Sequence, residues 1–319
     1  MKITRKTLSS MFGISGLLAV AVCVLTLVAP VRAQEREYTT IVPPDDLGNP
    51  QLATTASTAF GINARGDVVG TFTEGIGQNS VQHGFLLSKG EFTVIDFPGA
   101  QSTIARGINP RGDIVGSYRL PADLPVATRG FLRTKEGEFV NVHYPGHSWE
   151  IAQRILPNGT IVGCRHDHDQ MATMRGVTIG RDGASEIDAF GSMNNGATPG
   201  LELIVGFWFN MMDNQTQGYM IEDGVFTSFM VPDSNATQAW DVNPDGAIVG
   251  VYSVGTVVRG FLRTEDGDDG DSDEATYATI HYPGSTATRA FGINSSGDIV
   301  GSYTVGGVTR AFIAREVED

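Results

Sequence analysis

The chain has 319 residues, of which 41% are hydrophobic and 18% are charged, so it has enough apolar residues for a sizeable core and is not a disordered polypeptide. The 36 acidic residues outnumber the 22 basic ones, and an acidic surface repels phosphate backbones, which argues against nucleic acid as a partner. The 40 glycines show no Gly-X-Y period, which excludes a collagen-like chain and indicates many tight turns.

The first 33 residues have the pattern of a secretory signal peptide. Lys2, Arg5 and Lys6 precede an apolar run over positions 14–29, and Val31 and Ala33 supply the small or branched residues of a cleavage site. We expect cleavage after Ala33, which would leave an exported protein, periplasmic or extracellular, with no membrane span. An uncleaved anchor is the alternative, although the run is shorter than the ~20 residues that a membrane span prefers.

Removal of this leader makes the chain more acidic. The leader holds four of the 22 basic residues and none of the 36 acidic ones, so residues 34–319 have a net charge of −18. Cys164 is the one cysteine after Ala33, so no internal disulfide can form and the core alone must hold the fold. The sequence predicts that residues 34–319 form a single domain and a monomer.

A short motif recurs six times at a period near 45 residues. Gly-Asp-Val-Val-Gly ends at Gly70, and related segments end at Gly116, Gly163, Gly206, Gly250 and Gly301. Each copy predicts four short strands: one before an Asn-x-x-Gly turn, one on the motif itself, one on Gly-Phe-Leu, and one that ends at proline. Four strands per repeat, six times, predict an all-β, six-bladed β-propeller.

The two ends of the chain complement each other. Residues 38–44 match the fourth strand of copy five at residues 277–283, and copy six ends after its third strand near Ile313. The N-terminal strand is therefore predicted to complete the last blade and close the ring, which removes an open sheet edge.

The pattern Gly-Ile-Asn-x-x-Gly-Asp-Ile-Val-Gly-x-Tyr, followed by His/Arg-Gly-Phe-Leu and Phe-Thr-x-Ile-Asp-x-Pro-Gly-Ala, resembles the HAF-type bacterial extracellular repeat. The resemblance covers residues 38–319 and implies a secreted or surface protein. Copies three and four depart from it, because Leu156 replaces the turn asparagine and copy four lacks a recognisable first turn. The resemblance carries over no catalytic residue.

In a propeller, the first-to-second and third-to-fourth strand turns share one face, here called the turn face. The second-to-third loops and the connections between repeats share the other, here called the loop face. The loops at 74–82, 120–128, 166–173 and 210–217 are long and unlike one another. Since function concentrates on variable loops of a rigid scaffold, the loop face is the predicted ligand-binding face.

One segment of that face carries metal-ligating residue types. In an extended chain Cys164, His166 and His168 share one side, and thiolate and imidazole bind zinc or copper. His147 and Glu150 lie in the connection that enters the same repeat. His-x-His is a common pattern, so a solvated polar loop is the alternative.

Two further segments invite a functional interpretation. Phe207-Trp208-Phe209 and Met211-Met212 are an aromatic, Met-rich stretch in which an exposed Trp208 would stack on a sugar, with core packing as the alternative. The acidic run over 266–274 has alternating carboxylates that suit calcium, but it lacks the EF-hand glycine, so a solvated loop is the preferred interpretation.

The sequence leaves two classes of function. The first is an exported, non-catalytic binding or interaction module with an extracellular protein or glycan as ligand. The second is a glycosidase or lyase that acts on an extracellular polymer. No recognised catalytic or phosphate-binding motif appears, which favours the binding module over the enzyme.

Overall fold

The computed structural model describes residues 35–317 apart from positions 46–53, 76, 78–79, 122–127, 148, 168–172 and 266–274. The predicted signal peptide at 1–33 therefore lies outside the described residues. Within the described part, 24 strands pair into six antiparallel units of four strands each. In the same part of the chain, no helix has the length and apolar character needed to span a membrane.

The six units follow the six sequence copies in order. Unit 1 consists of β2 (Thr54–Ile62), β3 (Val68–Glu74), β4 (Val81–Ser88) and β5 (Glu91–Ile95). Unit 2 consists of β6 (Ser102–Ile108), β7 (Ile114–Arg119), β8 (Arg129–Arg133) and β9 (Phe139–Val142). Unit 3 consists of β10 (Glu150–Ile155), β11 (Ile161–Arg165), β12 (Arg175–Gly180) and β13 (Gly183–Glu186).

The second half of the chain repeats the arrangement. Unit 4 consists of β14 (Ser192–Ala197), β15 (Leu203–Asn210), β16 (Gln215–Glu222) and β17 (Val225–Phe229). Unit 5 consists of β18 (Ala236–Val242), β19 (Ile248–Val254), β20 (Val257–Glu265) and β21 (Ala275–Ile280). Unit 6 consists of β22 (Ala287–Ile293), β23 (Ile299–Val305), β24 (Val308–Glu316) and the N-terminal strand β1 (Arg36–Ile41).

The last unit combines both ends of the chain, as the sequence predicts. β1 pairs antiparallel with β24 from Arg36 opposite Glu316 to Ile41 opposite Ala311. The Tyr38 ring packs edge-on against Tyr282, with ring centroids 5.5 Å apart, so the added strand also contributes to the core of the unit.

Strand pairing divides the molecule into two eight-stranded and two four-stranded sheets. Units 1 and 2 share one sheet through a single parallel pair, Gln82 with Ser102, and units 5 and 6 share another through Val258 with Ala287. Units 3 and 4 are separate four-stranded sheets. The result is a propeller-like all-β fold of four-stranded antiparallel units.

Glycine in the second strand of each unit explains the recurring Ile-Val-Gly. A Cβ at Gly70 would lie 2.6 Å from the ring of Phe85, and one at Gly250 would lie 2.5 Å from Phe261. Because these glycines have no side chain, the third-strand ring lies directly on the neighbouring backbone and is fully buried. The repeated motif therefore encodes the packing of each unit as well as its turns.

The first strands of the units lie side by side. All six contain a β-bulge at the same position, with Phe60, Arg106, Gln153, Asn195, Trp240 and Phe291 as the extra residues. In units 1, 2, 4 and 6 the next residue is glycine, and a Cβ there would meet the neighbouring first strand: at Gly61 it would lie 2.6 Å from the Arg106 carbonyl oxygen. Units 3 and 5 have Arg154 and Asp241 instead.

Arg154 and Asp241 fill the space between these strands. Their side chains form a buried ion pair, with Nε 3.0 Å from Oδ2. The Arg154 guanidinium also donates to main-chain carbonyls of four other units, namely those of Phe60, Arg106, Trp240 and Phe291. One side chain therefore connects the first strands of five units.

Candidate functional site

A groove of about 620 Å³ opens on the turn face, between the turns of units 5 and 6 and the third-strand ends of units 4 to 6. Four carboxylates line it, together with hydroxyl and amide groups and one arginine, Arg36. The acidic residues are Glu222, Asp245, Glu265 and Glu316. The groove lies on the face opposite to the one that the variable loops favour.

In units 1 and 2, hydrogen bonds of the Asn-x-x-Gly-Asp turn hold the turn face closed. In unit 1, Asn63 Oδ1 accepts the N–H groups of Arg65 and Asp67, and Asn63 Nδ2 donates to Asp67 Oδ2 over 2.9 Å. Asp67 Oδ1 in turn accepts the hydroxyl of Ser88 over 2.6 Å, which ties this turn to the end of the third strand. In unit 2, Asn109 donates to Asp113 in the same way. Asp113 also accepts the N–H of Lys135, which lies in the turn between the third and fourth strands.

Unit 5 lacks this tie because Ala247 stands at the aspartate position. Asn243 Oδ1 still accepts the N–H groups of Asp245 and Ala247, so the turn itself keeps its shape. Among the described residues no carboxylate links this turn to Thr264 or Glu265, and both residues line the groove. Replacement of an aspartate by alanine thus opens space at this position of the repeat.

Charge pairing within the groove is incomplete. Glu316 pairs with Arg36 over 2.7 Å, and Glu265 pairs with Arg263 over 3.1 Å. Burial lowers the pKa of Arg36, an effect that Glu316 opposes. Within the described residues no cation pairs with Glu222 or Asp245, so the groove has an excess of negative charge.

The second cluster of polar residues lies on the loop face between units 2 and 3, around Glu150. Five units carry a hydroxyl at this first-strand position, and the hydroxyl accepts a main-chain N–H in units 2, 5 and 6. These residues are Ser57, Thr103, Ser192, Thr237 and Thr288. Glu150 replaces the hydroxyl and accepts the Tyr144 N–H over 3.1 Å through Oε1.

The environment of Glu150 favours its neutral form. The residue is 1% exposed, and burial raises the pKa of its carboxyl to about 7. Its second oxygen, Oε2, has no hydrogen-bond partner among the described residues. A carboxyl that titrates near neutral pH is suited to general acid–base chemistry, and it is also a common consequence of burial.

A histidine lies near this carboxyl: His143 Nδ1 is 3.9 Å from Glu150 Oε1. In the same connection, His147 Nδ1 bonds Asp167 Oδ1 over 2.8 Å, so this connection meets the segment after β11.

The predicted metal ligands have different surroundings. Cys164 is fully buried in an apolar cluster with Met174, Met193 and Phe207, whereas the His166 ring lies 6.3 Å from the ring of Trp149. His168 lies outside the described residues. In the described residues no group of three His, Cys, Asp or Glu side chains has the arrangement of a metal site. Zinc or copper binding at Cys164, His166 and His168 stays a prediction, and calorimetric titration with either metal tests it.

The aromatic stretch of unit 4 is used largely in packing. Phe207 is buried, with its ring 5.8 Å from Trp240, and Trp208 packs edge-on against Phe226 at 5.5 Å. Met211 and Met212 are exposed in the short turn between β15 and β16. The acidic run at 266–274, considered for calcium, lies outside the described residues, between the end of β20 and the start of β21.

A third polar cluster lies in unit 1. His83 Nδ1 lies 2.7 Å from Asp96 Oδ2, and its Nε2 lies 3.6 Å from the buried Glu74 Oε2. The hydrogen bond with Asp96 raises the pKa of His83. Units 2, 3, 5 and 6 have arginine at the same third-strand position, so His83 occupies the position of a cation in those four units.

Comparisons with known proteins identify structural similarity alone. No family model matches the sequence, and the comparison with curated proteins found no match. The Trypanosoma rangeli sialidase has a TM-score of 0.54 at 8% identity, and the match covers 89% of this chain and 60% of the sialidase. At this identity the similarity concerns the fold and not the activity.

Two further solved structures give lower scores. The β-propeller domain of the Trilobed protease from Pyrococcus furiosus has a TM-score of 0.48 at 10% identity, covering 83% of this chain and 97% of that one. The virginiamycin B lyase from Staphylococcus aureus has a TM-score of 0.45 at 16% identity, covering 87% of each chain.

Proposed function

We propose that this chain is an exported, non-catalytic binding module, built on a six-bladed propeller that the N-terminal strand closes. The contacts between neighbouring first strands support the ring, including the approach of Gly292 in unit 6 to the Phe60 carbonyl in unit 1. The signal-peptide pattern and the resemblance to HAF-type repeats support export to the periplasm or the medium.

The observation that carries the binding proposal is the groove of about 620 Å³ on the turn face. It has the volume of a small-ligand site and converging polar groups on a rigid scaffold of strands and tight turns. Its ligand is an extracellular protein or glycan and not a nucleic acid, because both the groove and the chain after Ala33 are acidic. The protein acts as a monomer.

A thermal-shift screen of residues 34–319 against extracellular glycans and short peptides tests this proposal. A ligand that binds the native state raises Tm, and we expect this shift to disappear when Asp245→Arg and Ala247→Asp are combined to close the groove. We also expect mass spectrometry to recover the ligand unchanged. Ligands that raise the Tm of both proteins equally would place binding outside the groove and contradict the proposal.

The alternative is an enzyme that acts on an extracellular polymer. One observation favours it: Glu150 has a pKa of about 7 beside His143, which suits a general acid or base. If this alternative is correct, a glycan incubated with the protein is cleaved, and Glu150→Gln abolishes cleavage without loss of folding. Intact glycan with both proteins supports the binding module.

A further inference from the structure

In units 1 and 2 an arginine on the turn face bridges neighbouring units. The Arg65 guanidinium binds Asp67 of its own turn over 2.7 Å and donates to the main-chain carbonyl of Pro110 in the next unit. Arg111 repeats both contacts, with Asp113 over 2.9 Å and with the Pro157 carbonyl. Each guanidinium therefore sits between a carboxylate and a carbonyl of the adjacent turn.

Unit 5 differs at both of these positions. Asp245 replaces the arginine, and Ala247 replaces its aspartate partner. The carbonyl that corresponds to Pro110 and Pro157 belongs to Ser295 of unit 6, and no arginine among the described residues of unit 5 donates to it. Asp245 and Ser295 both line the groove. The place that the bridging guanidinium takes in units 1 and 2 is therefore open in unit 5, and the Asp245 carboxylate lies beside it.

Asn243 gives a second, independent indication of a ligand. In units 1, 2 and 6 the corresponding Nδ2 donates to the turn aspartate, but Ala247 offers no acceptor. Asn243 is 5% exposed and lines the groove, and within the described residues its Nδ2 forms no hydrogen bond. Nδ2 is therefore a donor that a carbonyl group of a ligand in the groove would satisfy.

We propose that the groove binds the guanidinium group of an arginine side chain presented by an extracellular peptide or protein. The guanidinium lies against the Asp245 carboxylate where Arg65 and Arg111 lie in units 1 and 2, and the Asn243 amide donates to a carbonyl of the same ligand. Glu222, which has no cation partner among the described residues, adds negative charge. Planar guanidinium matches carboxylate geometry, which favours arginine over lysine. This inference rests on the proposed binding function and specifies its ligand.

Calorimetric titration of residues 34–319 at low salt tests the inference with three probes: argininamide, the uncharged isostere citrullinamide, and lysinamide. Argininamide should bind saturably, lysinamide more weakly, and citrullinamide at least about tenfold more weakly. The combined change Asp245→Arg and Ala247→Asp writes the unit-2 turn into unit 5 and should weaken argininamide binding by about tenfold or more. Glu91→Gln changes the net charge by the same amount on the same face and should leave binding unchanged.

The outcomes separate this inference from the proposed function. Failure of argininamide to bind, equal binding of citrullinamide, or equal loss with Glu91→Gln would overturn the guanidinium site. A neutral glycan could bind the native protein but not the Asp245→Arg, Ala247→Asp variant, while argininamide binds neither. In that case the groove remains a binding site and the inference is wrong. Lysinamide binding as tight as argininamide would overturn the preference for arginine.

Discussion

At the scale of single residues, Arg154 is the side chain that connects the first strands of five units. Its guanidinium contacts carbonyls from four other first strands and pairs with the buried Asp241. Burial raises the pKa of Asp241, and Arg154 opposes that shift. The two charges are therefore tolerated only together, because either one alone would be a buried unpaired charge.

We expect Arg154→Met to lower the free energy of unfolding by about 3–5 kcal/mol, since it leaves Asp241 buried without its partner. Adding Asp241→Asn removes the unpaired charge and should recover part of the loss. Arg65→Met is the matched control: Arg65 also pairs with an aspartate but is half exposed, and its loss should cost at most about 1 kcal/mol. Urea unfolding measures all three, and equal costs for Arg154→Met and Arg65→Met would contradict this role.

Glu150 makes stability depend on pH. Its pKa of about 7 in the fold lies above the ordinary glutamate value of 4.5, so the folded state binds the proton more tightly than the unfolded chain. The favourable contribution is complete below about pH 4.5 and is lost as pH rises to about 7, a change on the order of 3 kcal/mol.

Glu150→Gln keeps an acceptor for the Tyr144 N–H and removes this titration. We therefore expect the variant to be more stable than the parent at pH 8 and to lack the decrease in stability between pH 5 and pH 8 that Glu150 causes. Urea unfolding at both values measures the difference, and the exposed Glu138→Gln serves as the control. If the variant keeps the parent's pH dependence, ionisation of Glu150 costs the folded state little free energy, which would contradict this prediction.

At the scale of elements, the N-terminal strand covers the edge of β24. It forms six register pairs and places the Tyr38 ring against Tyr282 and Phe312. We expect deletion of residues 34–44 to lower stability by several kcal/mol, roughly the cost of a lost strand and aromatic contact, and to promote oligomers through the open edge. Urea unfolding and size-exclusion chromatography measure these effects.

A synthetic peptide of residues 34–44 provides the control for this deletion. If the defect is an uncovered edge, the peptide should pair with β24, raise Tm and restore the monomer. A truncated protein that melts like the parent and stays monomeric would contradict the closure.

The acidic run at residues 266–274 of unit 5 gives a further prediction. Replacing residues 266–274 by Asp-Gly gives unit 5 a short third-to-fourth turn, and we expect the fold to remain with a slightly higher Tm because the loop is shorter. Calcium should leave the Tm of the parent unchanged. A calcium-dependent increase that the replacement abolishes would show that the run is a calcium site.

Local signals in the sequence predict the elements well and their junctions poorly. The period and the motif Gly-Asp-Ile-Val-Gly predict the four-stranded units because each strand and turn depends on nearby residues. Unit 4 was ambiguous because Thr198 and Glu202 take the roles of the turn asparagine and aspartate, with Thr198 Oγ1 donating to Glu202 Oε2 over 2.8 Å. That substitution is recognisable only once the hydrogen bonds of the turn are known.

At the scale of the whole molecule, function follows from departures between units that are far apart in sequence. Aligning the six copies shows Glu150 in a column of hydroxyl residues and Ala247 in a column that has aspartate in units 1, 2 and 6, so both signals are present in the sequence. Their consequences depend on assembly, since the Arg154–Asp241 pair and the groove between units 5 and 6 arise only when distant strands are brought together. The variability of the long loops predicted binding on the loop face, because a comparison of the loops does not register single substitutions within the short turns.

Hydrogen–deuterium exchange of residues 34–319 with and without saturating argininamide tests most directly that the turn-face groove is the ligand site. Amides that a ligand covers or orders exchange more slowly. We predict slower exchange in the turns at 243–247 and 293–297 and no change at 143–149 on the loop face. Protection at 143–149, or no protection in either turn, would contradict the assignment of binding to this groove.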